Sequence, residues 1–82
     1  MDKAVALKYS KDVPAPFVVG NTSGIIAGKM IEIAEEYGIP VVKNDILMET
    51  LFLLRPGDYI PEEVYSIVAE IFVFIKEMQD NV

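Results

Sequence analysis

The chain has no cysteine, no histidine and no tryptophan. Without cysteine there is no disulfide framework, no thiolate nucleophile and no sulfur ligand for zinc; without histidine there is no imidazole base. Neither a Ser-His-Asp nor a Cys-His machine can be assembled from these residues. Basic residues are scarce as well: seven Lys and Arg stand against thirteen Asp and Glu, a formal net charge of −6. That balance repels phosphate backbones and anionic headgroups, which argues against nucleic acid and lipid surfaces as partners. Long hydrophobic runs are missing too. Glu49, Arg55 and Asp58 interrupt one apolar region and Glu70 and Lys76 another, so no segment reaches membrane-spanning length. Nothing after Met1-Asp2-Lys3 has the build of a secretory signal. The expectation is a cytoplasmic protein that is not an enzyme and carries no metal or cofactor.

What the chain does have is material for a core. Of its 82 residues 52% are hydrophobic and 24% charged, a composition that folds rather than staying disordered. At this length one domain over residues 1–82 is expected.

Val5, Leu7 and Tyr9 alternate with Ala4, Ala6 and Lys8, the period-two pattern of a strand with one heavily buried face. Asp12, Pro14 and Pro16 bend the chain, and Phe17-Val18-Val19 reads as a second strand. Gly20-Asn21-Thr22-Ser23-Gly24 closes it and opens a helix to about Tyr37, with Thr22 or Ser23 as cap and Gly38 as the stop. That helix is amphipathic: Ile26, Met30, Ile33 and Tyr37 form a stripe widened by Ala27 and Ala34, opposite Lys29, Glu32, Glu35 and Glu36. Val41-Val42-Lys43 reads as a third strand, parallel to the second through a right-handed crossover. Asn44 or Asp45 caps a second helix, Ile46 to about Leu54, which Arg55-Pro56-Gly57-Asp58 breaks. Pro61, Glu62 and Glu63 start a last helix running to about Gln79. The fold class expected is α/β: a small mixed sheet of three strands packed with three helices, in the order β-β-α-β-α-α.

The last helix is the most informative. At 100° per residue Val64, Ile67, Val68, Ile71, Ile75 and Met78 make the stripe expected to face the core. A second apolar shoulder, Tyr65, Ala69, Phe72 and Val73, flanks it on one side only, while Ser66, Glu70 and Glu77 form the wet face. The shoulder either packs under the second helix or the Pro14-to-Pro16 bend, or it is a surface that holds a partner. The Gly20-to-Gly24 segment sits where α/β proteins hold anions, yet it matches neither GxGxxG nor GxxxxGK[ST], and a turn plus a cap explains it. An anion- or nucleotide-binding protein is thus the weaker alternative. Glu35-Glu36 and Glu62-Glu63 are adjacent pairs that diverge on a helix and read as solvated charge. Lys8 and Arg55 could pair with an acid or meet a partner.

Taken in order, Ala4-Val5-Ala6-Leu7-Lys8-Tyr9, Ala15-Pro16-Phe17-Val18-Val19, Ile31-Glu32-Ile33-Ala34-Glu35-Glu36-Tyr37-Gly38-Ile39-Pro40-Val41-Val42 and Ile60-Pro61-Glu62-Glu63-Val64-Tyr65 resemble one family. It is the cytoplasmic C-terminal domain of the FlhB/YscU export-switch proteins of flagellar and virulence type III secretion. In that family an Asn-Pro-Thr-His tetrapeptide precedes the first of these strands, and its Asn cleaves the chain. Here Met1-Asp2-Lys3 stands at that place and no Asn-Pro or histidine occurs, so the cleavage chemistry is absent. The expectation is a stand-alone homologue of the downstream fragment, whose first strand keeps an open edge for a partner strand.

The resemblance implies contacts with export substrates, the hook-length ruler and export-gate proteins, and docking on the membrane half of a full-length homologue. The partner-binding patch carried over by motif falls on Ala15, Pro16, Ala69 and Phe72. Two of these belong to the shoulder that helical spacing picks out, which favours partner binding for Tyr65 and Val73 as well. A regulatory or chaperone-like module outside the export gate is the rival expectation. Phe72→Asp is expected to leave the domain folded and abolish binding.

Overall fold

A computed structural model describes residues 2–80 of the chain; Met1 of the Met1-Asp2-Lys3 segment lies outside them. Alternation of small and branched residues builds β1, Lys3–Lys8, which pairs antiparallel with β2, Phe17–Ser23. The register runs from Lys3 opposite Ser23 to Ala6 opposite Gly20, then skips Val19 and resumes at Leu7 opposite Val18. Val19 is therefore an unmatched bulge residue, and bulges increase local twist. Within the sheet β2 is the sole strand partner of β1, so the other edge of β1 is unpaired among the described residues.

The expected third strand is not formed at Val41-Val42-Lys43. Val41 and Val42 are exposed, and no backbone bond among the described residues ties them to either strand. β-Branched residues make a segment compatible with pairing, but they do not supply a neighbour. Between the stop at Gly38 and the cap at Asn44 the chain only bridges two helices. The second edge of β2 is taken instead by residues 57–60. The Gly57 N–H donates to Val18 O at 2.7 Å, Val18 N–H to Asp58 O at 2.9 Å and Ile60 N–H to Pro16 O at 2.9 Å. The tight turn before this segment depends on Gly57 at φ +94° and on Asp58, whose carboxylate accepts from the Arg55 N–H at 2.9 Å.

Helix α1 spans Gly24–Glu36. Ser23 occupies the capping position without a side-chain bond, and the Gly24 N–H donates to Asp2 O at 2.8 Å. The C-terminus closes as expected: Gly38 takes φ +71° and Ile39 N–H donates to Ala34 O at 2.8 Å. The buried residue of α1 is Ala27, not the expected apolar stripe; Ile26, Ile33 and Tyr37 are all exposed. A sheet of two strands about 4.8 Å apart is narrower than a helix of about 10–12 Å diameter, so it covers only one strip of it.

Helix α2 spans Asp45–Leu51, capped by the Asn44 Oδ1, which accepts from Leu47 N–H at 3.0 Å. A short 3-10 turn over Glu62–Val64 leads into α3, Tyr65–Asp80. The core lies between these elements and the sheet: Leu47, Leu51, Ile60, Val64 and Val68 are buried, with Val5, Leu7, Leu54, Ile71 and Phe72 packed against them. The buried stripe of α3 is rotated from the one expected, towards Phe72. Val68 of α3 and Val64 of the turn before it are buried, whereas Ile67 and Met78 are exposed. The class is α/β, two strands and three α-helices in the order β-β-α-α-α. No helix among the described residues is long and apolar enough to cross a membrane.

Candidate functional site

The bend between the strands is rigid because Pro14 and Pro16 fix φ and Pro16 O is locked to the Ile60 N–H. This places Ala15 and Ile60, 5% and 3% exposed, side by side as a floor. Opposite them, α3 presents residues 65, 69, 72 and 73, a spacing that keeps all four on one helical face. Between bend and helix runs an open groove of about 340 Å³. Phe72 is half-buried and forms its inner wall, and its ring lies 6.0 Å from that of Tyr9 at the end of β1. Tyr65 and Val73 are exposed along the rim, as is Ala69 between them.

All of Ala15, Pro16, Tyr65, Ala69, Phe72 and Val73 line this one groove. Only Ala15 is buried, so it contributes floor rather than an exposed contact. The shoulder does meet the Pro14-to-Pro16 bend, yet the two do not close on each other; the space between them is the groove. Tyr9, Pro14 and Ile60 also line it and were not singled out from sequence. Tyr9 carried a signal, as an aromatic ending an alternating strand, but Ile60 is brought in only by its backbone bond to Pro16.

The lining is free of charged side chains, and the tyrosine hydroxyls of Tyr9 and Tyr65 are its polar atoms apart from backbone. Such a surface removes apolar side chains from water and orients them with few hydrogen bonds. Elsewhere among the described residues, no cluster of three Asp or Glu could hold a metal. Lys8 and Arg55 are both exposed and lie outside the groove. Residues 20–23 belong to β2 rather than to a phosphate-type loop, and the Asn21 amide donates to Phe52 O and Leu54 O. That ties β2 to the end of α2 and leaves the segment little freedom to cradle an anion. A second cleft lies behind Phe72, where Val5 and Leu7 of β1 face Val42 and Ile71.

Comparison with known proteins gives this groove a context. Residues 1–75 match the model of the FlhB HrpN YscU SpaS family. The chain belongs to this family. It is 38% identical over 81 residues to YlqH of Bacillus subtilis (strain 168), covering 98% of this chain and 87% of that one. To the flagellar biosynthetic protein FlhB of Aquifex aeolicus it is 42% identical over 74 residues, which span 88% of this chain but 21% of FlhB. The PscU C-terminal domain superposes with a TM-score of 0.81 at 28% identity, over 89% of this chain and 95% of that one. The native SpaS C-terminal domain, at 21% identity, shares the fold with a TM-score of 0.87 over 98% and 94%. The family is that of the export-switch proteins of type III secretion, and the chain corresponds to their C-terminal domain.

Proposed function

We propose that this chain, as one domain, is a non-catalytic protein-interaction module of the type III export apparatus, a soluble counterpart of the switch protein's C-terminal fragment. Export substrates or gate proteins dock through apolar segments laid in the groove between the Pro14-to-Pro16 bend and α3. The observation that carries this reading is the convergence of Ala15, Pro16, Tyr65, Ala69, Phe72 and Val73 on one uncharged concavity. Ala69, Phe72 and Val73 would clamp an incoming side chain against the floor of Ala15 and Ile60, with Tyr65 closing the rim. A groove of about 340 Å³ takes only a few side chains, so affinity for any one partner is low and exchange is fast, as a passing export substrate requires.

The work is done on the cytoplasmic side, peripheral to the export apparatus, and the membrane half of a full-length homologue is a further docking partner. The unpaired edge of β1 supports a second mode, in which a partner strand adds to the sheet. The test is complementation: this chain is co-expressed with a switch protein truncated at its cleavage site, and flagellar assembly is scored. Restored assembly with the wild-type groove and none with Ala69→Asp is the expected result. Equal assembly with both sinks the groove; assembly with neither, in cells that contain the folded chain, sinks the export role.

A further inference from the structure

Helix α1 carries an apolar stripe that the sheet leaves uncovered. Ile26 is 67% exposed, Ile33 53% and Tyr37, at the helix end, 76%. On a helical wheel they lie about 90° from Ala27, the residue buried against the strands. With the half-buried Met30 between them, positions 26, 30, 33 and 37 advance in steps of four, three and four, the spacing of a coiled-coil seam. Such a seam is complementary to itself when two copies run antiparallel about a two-fold axis. Ile26 then meets Tyr37 of the second copy, and Met30 meets Ile33.

Charge decides both the occupant and its direction. Lys29 and Glu36 are exposed and flank the seam on the side away from the sheet. In an antiparallel pair these flanking positions face each other, so Lys29 of each copy stands opposite Glu36 of the other, twice over. A parallel pair instead sets Lys29 against Ala34 and leaves both charges without partners. We infer that this stripe is the contact between two copies of this chain, packed antiparallel through α1. A helix of 13 residues is about 20 Å long and buries less than the roughly 1,200 Å² of a standard interface, so the dimer is weak, with Kd on the order of 0.1–1 mM. No residue lining the groove belongs to α1, so the pairing leaves the groove open and does not depend on its proposed use.

The test is a charge swap read by sedimentation equilibrium up to millimolar protein. Lys29→Glu alone and Glu36→Lys alone each set like charges opposite one another twice and should weaken self-association about tenfold. In an equimolar mixture of the two variants, one copy carries a carboxylate at both positions and the other an ammonium at both. Opposite charges then face each other again, and the mixture should recover wild-type association. Ile33→Glu should abolish it in every combination, with circular dichroism confirming that each variant remains folded. A wild-type chain that stays monomeric at millimolar concentration overturns the inference. So does a mixture that associates no more tightly than its two components.

Discussion

Introducing one carboxylate at Ala69 separates a surface groove from a core seam. Ala69 is exposed in the second turn of α3 and lines the groove beside Phe72. Its replacement by Asp costs helix propensity of about 0.5–0.7 kcal/mol. A chain of 82 residues holds roughly 4–12 kcal/mol of stability, so the variant stays folded. Its melting temperature should fall by only about 2–5 °C. Binding should suffer far more, because a docked apolar side chain would strip water from an unpaired carboxylate. That penalty is at least about 2.7 kcal/mol, a hundredfold in Kd. Met78→Asp is the control: residue 78 is exposed, lies outside the groove and is about 180° around α3 from Ala69, so the same charge there should change affinity little. Calorimetric titration of a purified export substrate into wild type and both variants reads the difference. Equal affinities for the two variants would refute the groove as docking site. A loss of more than about 3 kcal/mol of stability in Ala69→Asp would show residue 69 to be core.

Phe72→Asp should be costlier to the fold than the exposed-shoulder expectation holds, because Phe72 packs against the core cluster and against Tyr9. About 2–3 kcal/mol should be lost, seen as an earlier urea midpoint, and an unchanged midpoint would show that its contacts contribute nothing. Asn21→Ala removes the donor to Phe52 O and Leu54 O and should lower stability by about 1–2 kcal/mol, a drop of roughly 4–16 °C in melting temperature. No drop would mean that the β2–α2 tie is not part of the stability. Along Lys3–Lys8 every second amide points to the unpaired edge and should exchange rapidly in dilute isolated chain. Uniform protection there would exclude the open edge, whereas slowing on addition of a strand-forming peptide would locate it.

The groove and the helix stripe come from different imbalances in the same small structure. The groove exists because two prolines hold the bend away from α3 instead of letting it collapse on the shoulder. The stripe exists because two strands are too narrow to cover an amphipathic helix. Both leave apolar surface in water on a chain of which 52% is hydrophobic.

Local signals were legible in the residues alone. The stop at Gly38, the Asn44 cap and the apolar shoulder of α3 each depend on neighbours within a few positions, and each is where spacing puts it. β1 forms where its alternation puts it but buries Ala4 rather than the expected Val5, Leu7 and Tyr9 face, and α2 ends at Leu51, three residues before the expected Leu54. The absence of cysteine and histidine likewise removes whole classes of chemistry without reference to shape. Which segment pairs with which was decided only in three dimensions. Val41-Val42 has the better strand composition, yet residues 57–60 win the edge of β2 because the turn at Gly57 delivers their backbone there. Burial of α1 followed the width of the sheet beneath it, so Ala27 went inside and Ile26, Ile33 and Tyr37 did not. Periodicity marks which side chains share a face, but what lies against that face is set by partners distant in the chain.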